Sequence, residues 1–588
     1  MRHELTYSCF ALLLVACGEG RSVSEPQGSA STSSVDAAVV KPGVSSEHER
    51  LLFGKVTDES GRPIEGVMVR LQNIETLLAE SVFTDRSGVY RLPTDLSGAL
   101  SVRTRVPYFS DRELSISFAD KTVVEMDIQL AAMASDEEIS ASLPSVFHFN
   151  QIAFDEDPAS VLSRSGFQRD CAGCHQFGNE FTRRDRDQSL WSPTIARMHA
   201  YFGNSDTELI ARRAAMLDMS GPYGDTVMTR PDFAVDAEVH SAKIYEYPLE
   251  DVIFPHDAEI SPVDGMSYSV DRLGDTMVVT ELDTGGSTHT PMPPPKRPAE
   301  EGANGYTSRS SKPGPHSLAL GGGNLWYTTN ATSDEIGVFD AASQEWRESY
   351  VVPEPGRYPH TVRIDTKNIV WFTLAGSEQI GRLDPTTGSF DLIDLPRRAP
   401  IGIAMATTPY GIDVSPVTGK VWYARLYGDA IGFVDPDTLE VTEYDAPIRG
   451  PRRLRFNKAG ELWVTGYTEG MIAHIKPDTM DIEVHRMPEF AEDHRPAPYS
   501  LAIHPDTQDV WINETMTDRV YRFIPAERRF VSYPMPLRGT YTRDFSFTED
   551  GKACTANSPI MNVALEGGIA NLICIDPDAI ASDAIERG

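Results

Sequence analysis

Apolar and polar positions alternate along this chain in three different ways. From Leu51 the alternation is short and strand-like: Gly54-Lys55-Val56, Val67-Met68-Val69-Arg70-Leu71 and Gly88-Val89-Tyr90-Arg91-Leu92 are separated by turn signals such as Glu59-Ser60-Gly61. This predicts a small β-sandwich over 51–131. Between 135 and 243 apolar residues recur at spacings of three and four, predicting short helices over Ala159–Phe167 and Trp191–Phe202. A capping box, Ser205-Asp206-Thr207-Glu208, leads into a further helix carrying Leu209, Ile210 and Leu217.

From Lys243 the text repeats. GPHSLALGGGNLWYTT, YPHTVRIDTKNIVWFTL, PYGIDVSPVTGKVWYAR, GPRRLRFNKAGELWVTG and PYSLAIHPDTQDVWINE share one layout of turn, strand, turn and second strand. Their tryptophans, Trp326, Trp371, Trp422, Trp463 and Trp511, lie 45, 51, 41 and 48 residues apart, the spacing of four-stranded blades with variable loops. Third strands (IGRLDP, IGFVDP, IAHIKP) and fourth strands (FDLIDLP, VTEYDAP, IEVHRMP, FVSYPMP) follow. Degenerate copies, VDGMSYSVDRLGDTMVVTE before and YTRDFSFTEDGKACTAN after, bring the number of blades to seven. The last copy lacks a fourth strand, and Ile244-Tyr245-Glu246-Tyr247-Pro248-Leu249 is expected to supply it and close the ring. The expected fold class is therefore multi-domain and mainly β: a small β-sandwich, a short α-helical domain over 135–243, and a seven-bladed β-propeller over 244–580.

The first residues change the setting. The apolar run from Phe10 to Ala16 is too short to span a bilayer and suits a signal peptide over 1–16. It ends in Leu14-Val15-Ala16-Cys17, which resembles a bacterial lipobox, so Cys17 is expected to carry lipid and anchor the mature chain. Residues 17–50, rich in Ser, Gly and Ala, read as a flexible tether. Gly18 after the cysteine favours the outer membrane, placing the protein in the bacterial cell envelope, facing the periplasm. A net charge of -33 argues against a nucleic-acid partner.

The chain has only 6 cysteines. Cys9 leaves with the signal and Cys17 takes lipid. Cys554 and Cys574 fall on neighbouring strands of the last blade, where an oxidising compartment permits a disulfide. The remaining pair sits in RDCAGCHQFG as Cys171, Cys174 and His175. A redox dithiol wants a βαβ setting and a zinc site wants two further ligands; neither is present. C-x-x-C-H in an exported helical segment fits covalent haem c, with thioethers from both cysteines and His175 as proximal iron ligand, so 135–243 is read as cytochrome c-like. For the distal ligand, Met228 in the loop GPYGDTVMTRP is favoured, then Met219, with His199 as a bis-histidine alternative; Met198 and Met216 read as core.

Two stretches resemble known families. The pattern GKVTDESGRPIEGV followed by TDRSGVY resembles the carboxypeptidase regulatory-like domain, in which it implies a non-catalytic spacer or interaction module. The blade repeat resembles the virginiamycin B lyase (streptogramin lyase) propeller, with its P-H-G-I, G-x-W-F-T-E and N-x-I-G-R pattern. That resemblance implies a histidine and a glutamate acting with Mg²⁺ to open an ester-linked ring. Transferred to this chain, the histidine position holds Asp264, His316, His360, Tyr410, Arg452, Tyr499 and Tyr541, and the glutamate position holds Glu281 and Glu514 but Thr329 and Leu374 in the two histidine blades. His316, His360, Glu281 and Glu514 are the catalytic candidates, although no blade combines both partners. The expectation is an electron-transfer haem protein, served by a redox partner protein or a quinone-linked chain, whose propeller mouth binds a small-molecule ligand. The alternatives are a C–O lyase acting on cyclic esters, or a non-enzymatic scaffold.

Overall fold

The computed structural model describes residues 50–580 apart from 120, 302–305, 307 and 561. The segments expected to be signal and tether, with the expected lipidation site Cys17, lie outside the described residues. No described helix is long and apolar enough to cross a membrane.

Strands between Arg50 and Leu130 form two sheets around a core of Leu52, Val56, Val69, Leu71, Val82, Tyr90, Leu92 and Val102. The sandwich is not a separate body. Its strand Ala79–Phe83 pairs antiparallel with Lys243–Pro248, which in turn pairs with Asn571–Asp576, so one eight-stranded sheet runs from the sandwich into the last repeat. Arg70 clamps the seam, its Nε lying 2.6 Å from Glu246 Oε1. Lys243–Pro248 is the closing strand expected from its sequence.

Among the described residues, six further sheets of four consecutive strands, one with a short fifth, follow from Pro255 to Pro534. Their first strands lie side by side in chain order, and Pro255–Ile260 also lies against Ala553–Asn557, closing the circle. The large side chains lock neighbours together: Trp371, Trp422, Trp463 and Trp511 each pack into the cluster shared with the next sheet. Trp326 does not. In its sheet the equivalent position is Tyr327, and Trp326, one residue earlier, faces backward and stacks on Tyr268 at 4.7 Å. A one-residue slip along a strand reverses the face, and that is what separates the two.

A second, polar tie recurs in the turn between the second and third strands. Asp275, Asp334, Glu378, Asp429 and Asp518 all have positive φ, between 43° and 57°. Each carboxylate accepts the backbone N–H that leads into the following sheet, from Gly314, Tyr358, Thr407, Gly450 and Thr540, at 2.8–2.9 Å. Part of the acidic excess is thus structural. Cys554 and Cys574 are cross-strand partners in the last repeat and are joined in a disulfide.

The helices are α1 (Asp136–Ser142), α2 (Ser145–Phe149), α3 (Arg164–Cys171), α4 (Gln188–Tyr201) and α5 (Thr207–Met216). Two boundaries differ from expectation. The stretch 159–163 is turn, because Ser163 caps α3 by accepting from Gly166 N–H; and Asp206, not Ser205, caps α5. The larger difference is that the helices have no core of their own. Phe147, Phe149, Phe167, Phe177, Trp191 and Tyr223 belong to one buried cluster with Ile403, Tyr410, Tyr427, Tyr467, Tyr499 and Tyr541 of the ring. The helical segment is a lid on the ring's mouth and shares its core.

Candidate functional site at the ring mouth

The C-x-x-C-H turn begins where α3 ends, and helix ends leave carbonyls without intrahelical partners. Here the ring supplies the donors. Tyr467 and Tyr541 donate their hydroxyls to Ala172 O at 2.5 and 2.8 Å; Arg452 Nη2 donates to Gly173 O at 3.2 Å. Cys174 O receives Ile560 N–H and Arg543 Nη2, and Tyr427 donates to Arg169 O. Gln176 reaches Asp518 and Thr540 O at 2.6 and 2.9 Å. Every repeat from the fourth sheet onward thus holds part of the turn.

Cys171 and Cys174 are half-buried free thiols, not bonded to each other. Burial pushes the Cys171 thiol up to about 11 and raises that of Cys174, so neither is the thiolate a redox nucleophile needs. The His175 ring places Nδ1 2.8 Å from Gln176 O, where it donates, leaving the Nε2 lone pair free. Burial lowers its pKa, favouring neutral imidazole, and Phe181 meets the ring edge-on at 5.8 Å. Two thiols, plus an imidazole neutral and fixed through Nδ1, are the donor set that a covalently held haem requires.

The expected distal ligands are placed differently from one another. Met228 is 63% exposed, because its loop is tied to α1 and the sandwich by Val227 N–H to Ser140 Oγ and by Tyr108 to Pro231 O. Met219 and Met216 pack against the shared core, whereas Met198, read as core, is 40% exposed. His199 Nε2 is committed to Arg213 at 3.0 Å, and Arg213 is paired with Asp170.

The mouth contains three histidines, not two. His256, His316 and His360 are neighbours, with ring centroids 3.5 and 3.8 Å apart along the series, and Tyr410 follows at 4.0 Å from His360. His256 replaces Asp264 in the expected ring: the first sheet starts at Pro255–Ile260, one strand earlier than its degenerate sequence suggested. The dipeptide Pro255-His256, identical to Pro315-His316 and Pro359-His360, was the available signal. Burial holds all three imidazoles below the ordinary histidine range, His256 at about 3.

The two glutamates are placed differently: Glu514 lies opposite Pro498, at the mouth end of its sheet, and Glu281 does not. Glu281 follows the third strand of the first sheet, at the end away from the mouth, and is exposed, accepting only a local Thr284 hydroxyl. The mouth-end position of that sheet is Asp271, which caps the backbone N–H groups of Ile253 and Phe254. In the His316 sheet the residue opposite Pro315 is Asn330, correcting Thr329 by one. Glu514 is buried, but accepts Met516 and Thr517 N–H and the Thr517 hydroxyl, making it the cap of its own turn. The carboxylate beside the histidines is Asp257, 2.9 Å from His256 Nδ1 and already held by Arg453 at 2.9 and 3.0 Å. Arg453 continues to Asp544, which also binds Arg455 and Arg363, so ion pairs fill the channel below the mouth. Among the described residues, no group of three or more His, Cys, Asp or Glu side chains is arranged to hold a metal ion.

Residues 52–131 match the carboxypeptidase regulatory-like domain. No curated protein matches the sequence significantly. Among solved structures, a streptogramin B lyase is 16% identical with a TM-score of 0.47, the superposition covering 57% of this chain and 97% of that one. Virginiamycin B lyase from Staphylococcus aureus gives 16% and 0.46 over 57% and 99%. Hydrazine synthase from Kuenenia stuttgartiensis gives 13% and 0.41 over 55% and 96%. Likeness at this level is no evidence of activity.

Proposed function

We propose that this chain is an exported, lipid-anchored c-type haem protein of the bacterial envelope, whose seven-bladed propeller both cradles the haem-bearing turn and binds a partner or substrate. Haem c would be held by Cys171 and Cys174 as thioethers and by His175 through Nε2, and when bound it supplies one-electron redox chemistry. The single observation carrying this reading is the His175 Nδ1 contact to Gln176 O beside two free, protonated thiols at a water-poor mouth. The ring orients that turn through five side chains: Tyr427, Arg452, Tyr467, Tyr541 and Arg543. Electrons would pass to a redox partner protein or a quinone-linked chain at the outer membrane.

The test is expression into the periplasm with the haem-attachment machinery. A reducible Soret and α band that survives acid-acetone extraction, and is lost in the C171A/C174A variant, is the expected result; a colourless wild type refutes it. The lyase alternative retains three neutral histidines, but the carboxylate beside them, Asp257, is taken up by Arg453 and Glu514 caps its own turn, so neither is free to partner a base with Mg²⁺. Linearisation of a streptogramin B substrate by the wild type, abolished in H316A, would reinstate it.

A further inference from the structure

Three arginines of the ring mouth have no carboxylate partner among the described residues. Arg272, Arg452 and Arg543 are 8%, 2% and 1% exposed, and none forms a salt bridge. Of the other buried arginines of this ring, Arg453 is paired with Asp257 and Asp544 and Arg425 with Glu378 and Glu443, whereas Arg519, away from the attachment turn, donates to Ser532 Oγ. In a protein of net charge -33, with carboxylates in excess, three unpaired buried guanidiniums converging on one place are unexpected.

Their charge is met by aromatic faces and neutral oxygens. Arg452 lies 3.6, 4.3 and 4.7 Å from the centroids of Tyr499, Tyr467 and Tyr410, and Arg543 4.4 Å from both Phe254 and Tyr541. Arg272 donates to the hydroxyls of Tyr201 and Tyr358. These contacts leave donors unused: Arg272 Nε, and Arg452 Nε and Nη1, are buried without a partner, as are His316 Nδ1 and His360 Nε2 beside them. Arg452 and Arg543 reach the attachment turn directly, through Gly173 O and Cys174 O, and Arg272 joins them through Tyr358, whose ring lies 6.3 Å from that of His360.

We infer that Arg272, Arg452 and Arg543 form a carboxylate-recognising clamp at the ring mouth, which takes an organic anion against the Cys171–His175 turn. Guanidinium forks match carboxylate oxygens two to two, and a dry, aromatic-walled site strengthens each such contact. The carboxylate has two sources: the propionate arms of the covalently held haem, or a free carboxylate ligand. The clamp rests on the proposed function only for the first of these.

The experiment uses the full chain in two forms, loaded with haem and as the haem-free C171A/C174A variant, with benzoate as the probe in isothermal titration calorimetry. The haem-free form is expected to bind benzoate, and R272Q, R452Q and R543Q each to weaken it about tenfold or more, the scale of a charge-assisted hydrogen bond. If the propionates are the source, the loaded form no longer binds benzoate, and R452Q lowers the haem midpoint potential while R452K retains it. If the source is a free ligand, the loaded form still binds. Benzoate binding indifferent to all three substitutions, or no binding in either form together with an unmoved midpoint potential in R452Q, overturns the clamp. A colourless wild type would refute the haem reading, and its own benzoate titration would still decide the clamp.

Discussion

Replacing Arg453 by methionine is the most demanding test of how the ring is held. The side chain is fully buried and donates to both Asp257 oxygens and to Asp544. Methionine fills similar volume but leaves two buried carboxylates facing each other, with His256 alone on Asp257 and Arg455 and Arg363 left on Asp544. Removing one partner of such a pair costs about 3–5 kcal/mol. With an unfolding entropy of roughly 2.1 cal/mol/K per residue over the roughly 530 described residues, which share sheets and cores, that is a fall of about 3–4.5 °C in the calorimetric Tm. The pH dependence carries a sign. Burial alone would raise the Asp257 carboxyl, but Arg453 and His256 together hold it well below the usual range. Its ionised form therefore stabilises the wild type above about pH 3.9, the unfolded value, and this contribution is lost as pH falls. In R453M the sign reverses: the carboxylate is unpaired, its pKa rises, and protonation relieves the fold. The deficit should be largest near pH 7.5 and shrink toward pH 4.5, and D257N should recover part of it. A variant melting within about 1 °C of wild type at pH 7.5 would refute the argument that these ion pairs hold the channel.

Three further substitutions separate structural from chemical roles. Burial pushes the Glu514 carboxyl up to about 7, so its ionisation destabilises the fold as pH rises from about 4.5 to 7; the melting advantage of wild type over E514Q should fall across that window, and a constant difference would show that the buried carboxyl does not titrate there. Y467F and Y541F each remove one of two hydroxyls on Ala172 O; singly they should cost about 0.5–1.5 kcal/mol, but together they strand a buried carbonyl, so the double variant should lose more than the sum, and strict additivity in the double-mutant cycle would refute the shared contact.

What was legible in the sequence was whatever repeats locally. Second-strand tryptophans, the following L-D-P strands and the closing strand at Ile244 follow from period and turn chemistry within about fifty residues. Two errors came from registers that the repeat does not fix. The second strand of the first sheet carries Tyr268 where four other sheets have tryptophan, so the repeat places that sheet one strand late, with Asp264 in place of His256 and Glu281 in place of Asp271. Trp326 slips by one residue, and counting from it put the glutamate position at Thr329 instead of Asn330. The capping acids were readable in hindsight as the polar turn ahead of I-G (TSDEIG, GSEQIG, YGDAIG), but an acid in a turn is ordinary until its partner, some twenty to forty residues on, is known.

The docking of the lid was not legible, for a different reason. Beside the side chains of Gln176 and Arg169, its contacts are made by backbone carbonyls of residues 169, 172, 173 and 174, which carry no side-chain signature, and the partners come from sheets lying more than two hundred residues away. C-x-x-C-H by itself raises the expectation of attachment chemistry and says nothing about surroundings. The ring adds the surroundings: tyrosines and arginines that fix the turn from one side, ion pairs that close the channel beneath it, and three neutral histidines between the two. Any group carried by Cys171, Cys174 and His175 therefore has the propeller as one wall of its pocket. Changes at the mouth, such as R452Q, should register in that group's spectrum and potential, which a propeller serving only as a remote binding module would leave untouched.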